Sequence, residues 1–305
     1  MELGRYIGIP YGEARRLRYL SLACKLSVSL GEVDIHLLTK ALKIEAEKIN
    51  DRLKNHVRNN GVLRSLMVAH NYIAYCKWLG LIAQNGHLVS PNGWTVLFTE
   101  IYSSDEFKLN SWEKIAFFNA AYEKEPFVRL LSALKDKNEI VEHEKLLKMS
   151  EHFVETFFEW FIDLGILKTS NFSERVFDLS NTGRSVVNSI VNNYKETEIK
   201  RAYYSHILRK NITSNIIGGE FIMPTCFENV FNKIRLKIKS NVGTDLYSAL
   251  PLLLYLQLYL VIKHNLYLQL GDIASVINHS EISKNGSVIL TWDNQSKKGH
   301  VIVKR

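Results

Sequence analysis

Val62–Phe98 reads VLRSLMVAHNYIAYCKWLGLIAQNGHLVSPNGWTVLF, and this stretch decides the fold. Arg64, Ser65, His70, Asn71, Tyr75 and Lys77 fall among apolar residues at helical spacing, which predicts a helix over 62–78. Trp78-Leu79-Gly80-Leu81-Ile82 ends that helix, because a glycine past the last turn supplies the left-handed backbone a stop requires. The apolar pair after Gly80 opens a strand. Gln84-Asn85-Gly86-His87 is a polar tip, and Leu88 to Gly93 returns. The apolar run Trp94 to Ile101 then resumes a helix.

Working back from this stretch, 12–30 has a helical apolar face made by Leu17, Leu20, Leu22, Cys24 and Leu26. Asp34 starts a short helix to Leu42, a second covers Glu45 to Arg58, and Gly61 breaks it. Three helices therefore precede the hairpin.

Working forward, the same order recurs. Asn110-Ser111-Trp112-Glu113 starts a helix with Ser111 as its cap, Pro126 interrupts, and a long acidic helix ends at Asp163. Leu164-Gly165-Ile166-Leu167 echoes Leu79-Gly80-Leu81-Ile82, and Leu179-Ser180-Asn181-Thr182-Gly183 echoes Val89-Ser90-Pro91-Asn92-Gly93. Ser90 and Ser180 are read as caps of the following helices. The second copy has extra residues at Lys168 to Arg175, where a hairpin tip tolerates length. This helix–hairpin–helix grammar, present twice, resembles the winged-helix superfamily. It is also similar to the recognition portions of type IIS restriction endonucleases, which string winged helices beside a nuclease domain. The resemblance rests on Tyr72 to Gly93 and Phe153 to Gly183. It implies DNA recognition, with a restriction, defence or regulatory complex as the setting.

The two copies differ in charge. Between Asp51 and Trp78, five cations (Arg52, Lys54, Arg58, Arg64, Lys77) face one acid. Between Glu139 and Asp163, seven acids face Lys145 and Lys148. A helix in a DNA groove lies close to phosphates, which repel acids. The first copy suits DNA, and the second suits a neighbouring domain or a protein partner. Arg64, Ser65, His70, Asn71 and Lys77 are the candidate groove contacts, since Asn reads adenine and Arg reads guanine in two-point hydrogen bonds. Arg52, Lys54 and Arg58 would meet phosphates. Gln84 and His87 stand at the hairpin tip.

Beyond Val187 the pattern changes. Val191 to Arg209 reads as helix, Asn211 to Pro224 as loop around Gly218 and Gly219, and Phe227 to Lys239 as a basic amphipathic helix. Lys233, Arg235, Lys237 and Lys239 alternate with apolar residues, so a strand facing phosphates is the other reading of that run. Leu246 to Ile262 is strongly apolar. Pro251 suits a first helical turn and the run is at the lower limit of a membrane span, so a core helix from Pro251 to His264 is expected. A short helix opens at Asp272, and 287–304 forms a hairpin tipped by Lys297 and Lys298. With Lys284, Lys304 and Arg305, these outnumber the single acid Asp293. A third winged helix would fit this end.

The chain has 305 residues and a formal net charge of +8, with a pI of about 9.2, a balance that suits a polyanionic partner. Cys24, Cys76 and Cys226 are widely spaced and odd in number, which excludes a disulfide framework and points to a reducing, cytoplasmic setting. The first ten residues lack the apolar core of a signal peptide. There is no GxxxxGK[ST] phosphate loop, no zinc-spaced His/Cys set and no GxSxG elbow. Glu198-Ile199-Lys200 with Asp178 upstream matches the letters of a metal-dependent nuclease, in a helical context.

These readings predict a mainly α protein with small β-hairpins (α+β), built of tandem winged-helix domains over 1–102 and 103–195 and a helical domain over 196–305. The expected function is non-catalytic binding of double-stranded DNA, without cofactor, metal or membrane. An adaptor whose winged helices bind proteins is the alternative, and a nuclease is the third.

Overall fold

The computed structural model describes residues 10, 14–53, 65–102, 108–171, 175–238, 245–280 and 288–303. Within these the protein is mainly helical, with three small three-stranded antiparallel sheets. The chain forms two compact units, Met1–Ile207 and Leu208–Arg305.

The first unit opens with α1 (Leu17–Leu30), β1 (Val33–Asp34), α2 (Ile35–Leu53), α3 (Leu66–Trp78), β2 (Ile82–Asn85) and β3 (Leu88–Pro91). A 3-10 turn (Gly93–Leu97) and the short α4 (Phe98–Ile101) follow, then α5 (Ser111–Tyr122). The next segment repeats the order: α6 (Glu125–Ser132), β4 (Lys137–Glu139), α7 (Ile140–Leu147), α8 (Glu151–Asp163), β5 (Leu167–Asn171) and β6 (Val176–Leu179). Two helices, α9 (Asn181–Val191) and α10 (Glu196–Leu208), complete it. The second unit contains α11 (Ile216–Ile234), β7 (Leu246–Ser248), α12 (Ala249–His264), α13 (Leu270–His279), β8 (Val288–Asp293) and β9 (Lys298–Val303). All three sheets share one topology. The lone strand pairs with the second strand of the hairpin, giving the orders β1-β3-β2, β4-β6-β5 and β7-β9-β8.

The first two copies share a hydrogen-bond scheme as well as an order. Gly80 and Gly165 have φ of +76° and +78°. Leu81 N–H donates to Cys76 O and Gly80 N–H to Lys77 O; Ile166 N–H donates to Phe161 O and Gly165 N–H to Ile162 O. These are the paired bonds that close a helix on a left-handed residue. After the hairpin, Asn92 N–H donates to Leu81 O in one copy and Ser180 N–H to Ile166 O in the other. Asn92 is therefore the counterpart of Ser180. Ser90 is not a cap; it sits in β3, paired with Ala83. Ser180 is one, since its Oγ accepts from Gly183 N–H at 2.9 Å and donates to Gly165 O at 2.6 Å. Gly183 must be glycine for closeness, because a Cβ there would lie 2.2 Å from Ile166 O.

Several expected elements shift. The two helices expected over Asp34–Leu42 and 45–58 are one helix over its described length, α2, with Asp34 in β1 before it, because Leu38, Leu42, Ala46 and Ile49 give it a continuous buried stripe. The rest of that expected helix and Gly61 lie outside the described residues. The long acidic helix is two helices, α7 and α8, separated where Lys148 takes φ of +53°. Asn110, not Ser111, caps α5 through reciprocal bonds with Glu113. The segment 216–224 is helical rather than a loop. Asn215 caps it, Gly219 lies close to the Leu268 side chain, and Met223, Cys226, Phe227, Val230, Phe231 and Ile234 form its buried stripe. That apolar stripe outweighs the glycines and Pro224. Helix α10 lies in the first unit up to Ile207. Tyr203 stacks on Phe118 at 3.9 Å and its hydroxyl donates to Leu164 O. The apolar run 246–262 lies mostly in α12, buried along its length. Among the described residues, no helix is long and apolar enough to cross a membrane.

One buried polar cluster gives a pH prediction. His143 on α7 is buried, with Nε2 3.0 Å from Asn138 Oδ1. Burial pushes its pKa below the ordinary histidine range, against the pull of Glu142. A depressed histidine stabilises the fold above its ordinary pKa of about 6.5, and that contribution is lost as pH falls through 6.5 toward the lowered value. Melting curves between about pH 7.5 and 5 should therefore fall more steeply for wild type than for His143→Gln. Parallel curves would contradict this.

Candidate nucleic-acid interface

Ser65 begins α3 in extended backbone, and its Oγ accepts from Val68 N–H at 3.2 Å. The helix buries Ala69, Tyr72, Ile73, Tyr75 and Cys76. Its carboxy-terminal half is engaged by α8: Tyr75 packs edge-on against Trp160 at 5.4 Å, and Trp78 against Phe157 at 6.0 Å. The amino-terminal half is left outward. Leu66 is 46% exposed and Met67 73%; His70 is exposed and Asn71 half-exposed. No acid stands in the first turn. Leu66, Met67 and His70 line one side of a depression of about 360 Å³, and His36, Thr39 and Lys40 of α2 line the other.

The hairpin flanks this face. Its two-residue turn has Gly86 at φ of +59°, the backbone a tight hairpin needs at that position. His87 is exposed, and its carbonyl accepts from Ile35 N–H at 2.9 Å, which seats the tip against the start of α2. Lys77 donates to Gln84 Oε1, so this lysine is directed at the hairpin rather than along the helix face.

The structure thus places Ser65, His70 and Asn71 together on the outward half of α3, with Ser65 also serving as cap. Lys77 and His87 lie at the hairpin. Arg52 is in the last turn of α2. Its side chain, and Lys54, Arg58 and Arg64, lie outside the described residues. Sequence reading missed His36, Lys40, Leu66 and Met67. The signal for the first two is their four-residue spacing on a helix. Leu66 and Met67 carry no such signal, because an apolar residue on a helix reads as core.

Helix α8 holds the position of α3 in the second repeat and has the opposite fate. Glu155 pairs with Arg15 at 2.7 Å, and Asp163 with Arg16 at 3.4 Å and with Leu17 N–H at 2.9 Å. Trp160 Nε1–H donates to Ala14 O at 2.7 Å. Burial pushes the Asp163 carboxyl above its ordinary range while Arg16 opposes the shift. The arm 14–17 thus pairs with Glu155 and Asp163 inside the same unit, while Glu151 pairs with Arg175 at the surface. Charge reversal at Glu155 is therefore a folding perturbation, because a lysine there would face Arg15 and Arg175.

The second unit carries two basic runs. Ser248 N–H donates to Ile238 O at 2.8 Å, and Ser248 pairs with His300 on β9. Lys233, Arg235 and Lys237 stand at the end of α11 and in the turn after it, Lys297, Lys298 and His300 stand at the hairpin, and all six are exposed. The strand reading of 233–239 gives way to helix and turn; Lys239, Lys284, Lys304 and Arg305 lie outside the described residues. Helix α13 and its cap present Gln269, Ser275, Asn278 and His279, with the acid Asp272 in the first turn.

The nuclease-like letters are not on a sheet as a unit. Asp178 is on β6, but Glu198 and Lys200 are on α10, where Glu198 accepts from Lys195 N–H and Lys200 pairs with Glu196 at 2.5 Å. Among the described residues, no group of three or more His, Cys, Asp or Glu is placed to hold a metal ion. Comparison with protein-family models, with curated proteins and with solved structures finds no match.

Proposed function

We propose that each repeat is a winged-helix module and that the chain binds double-stranded DNA without catalysis. The first module would enter the groove, and the basic end of the second unit would follow phosphates. The observation that carries this reading is the contrast between α3 and α8. They occupy the same place in the repeat, yet α8 is largely buried with Glu155 and Asp163 paired to arginines, while α3 leaves an acid-free amino-terminal half exposed beside Lys40, His36 and His70. Helix-turn-helix readers contact base edges with that half of the helix. A net charge of +8 supports the same partner.

The adaptor reading is favoured by one observation, the exposure of Leu66 and Met67 on the same face. Substitution separates the two. Lys54→Ala with Arg58→Ala should weaken binding to every duplex and flatten the salt slope by about one unit for each phosphate no longer neutralised. Asn71→Ala should instead reduce discrimination among duplexes by about 1–3 kcal/mol. If neither variant changes binding, the first module is not the DNA surface.

A further inference from the structure

Leu66 and Met67 are misplaced for a phosphate-tracking surface. They are the outward residues of the first turn of α3, exposed rather than packed, and they form the apolar wall of the depression shared with α2. Cationic and neutral donors rim that wall: Lys40, His36 and His70. Such a surface, apolar at its centre and basic at its edge, complements the major-groove edge of a duplex where a methyl group projects between phosphate rows. Thymine carries that methyl at C5, and apolar side chains are what read it. Asn71, one position beyond His70, brings the amide that pairs with adenine.

We infer that the first turn of α3 reads thymine methyl groups, so that the protein prefers A·T-rich duplex. The inference rests on the DNA-binding reading above and deepens it by naming the chemical feature recognised. The arrangement divides the labour between α3 and Lys40 of α2. Leu66 and Met67 contact the methyl, His70 and Lys40 face the flanking phosphates, and Asn71 addresses the paired adenine.

The test uses duplexes that differ by one group. Full-length protein is titrated with alternating d(A-T) duplex and with the same duplex containing deoxyuridine for thymidine, which removes only the methyl. Wild type should bind the thymidine duplex about four-fold tighter for each methyl buried. A Leu66→Ala, Met67→Ala variant should bind both equally. Because both residues are exposed, its melting curve should match wild type, and Met67→Ala alone should show a smaller loss of the same preference. Equal binding of the two duplexes by wild type, or a preference that survives in the double variant, overturns the inference while leaving DNA binding intact. An equal gain on alternating d(G-C) after 5-methylation of cytosine also overturns the thymine assignment. If no duplex binds at low salt, the DNA reading itself fails.

Discussion

Replacing Arg18 by methionine should destabilise the first unit by about 3–5 kcal/mol. Arg18 is 4% exposed and Glu113 0% exposed, so both charges are out of water. The guanidinium donates to Glu113 Oε1 at 3.1 Å and lies 4.0 Å from the centre of the Tyr102 ring. Ser21 also donates to Glu113 Oε1, and Asn110 N–H donates to Oε2 at 3.0 Å. Helices α1 and α5 are thereby joined through one carboxylate. Methionine keeps much of the side-chain volume but leaves that carboxylate without its cation, and an uncompensated buried charge costs far more than the intact pair contributes. Arg18→Met combined with Glu113→Gln should recover a large part of the loss. Urea titration of the three variants reads both effects, and a loss below about 1 kcal/mol for Arg18→Met would contradict them.

Trp160→Ala should cost a similar amount, about 3–5 kcal/mol. Its side chain is fully buried, edge-on to Tyr75 of α3 and to Phe157 of its own helix, and tied to Ala14 O. It is the residue at which the arm 14–17, α3 and α8 meet. Removing it leaves a cavity between the first two repeats and frees the Ala14 carbonyl from its donor. The loss should therefore exceed that of Trp94→Ala, at a core residue that is 9% exposed where Trp160 is 0%. Chemical unfolding of the two variants side by side checks the order, and the reverse order would show that the two repeats do not depend on this packing.

Some of this is legible in the sequence for identifiable reasons. Gly80 and Gly165 are readable because a left-handed helix stop leaves few alternatives to glycine, and the apolar pair after each follows from the chain reversing onto its helix. The apolar run in α12 is readable from length and from Pro251 in its first turn. The lone strands β1, β4 and β7 are not, because two or three residues hold no periodicity. The third repeat is visible only through its hairpin. Helix α13 ends at Ser280 in extended backbone, without the glycine that marks the other two copies. The amino-terminal half of α11 reads as loop because Gly218, Gly219 and Pro224 are turn residues by local preference, and packing of Met223 and Cys226 overrides that preference.

The candidate site is legible in charge and not in geometry. The excess of acids on α8 is legible in the sequence, and two of them, Glu155 and Asp163, pair with Arg15 and Arg16 inside the same unit. Nothing local links residues so distant in the chain. The same limit hides the α2 wall of the depression. The hydrogen bond from Ser248 N–H to Ile238 O, which ties the turn after α11 to β7, is likewise revealed by no spacing rule.

The measurement that tests the central claim most directly is the salt dependence of duplex binding by the full chain. A fluorescently labelled mixed-sequence duplex of about 30 base pairs would be titrated at salt concentrations from about 50 to 200 mM, where phosphate neutralisation registers as counterion release. Binding at low salt is predicted, with the logarithm of affinity falling linearly against the logarithm of salt by about 0.9 for each phosphate neutralised, and a total slope of about −3 or steeper. Absence of binding at about 50 mM salt, or an affinity that does not change with salt, would contradict the account and leave the exposed face of α3 as a surface for a protein partner.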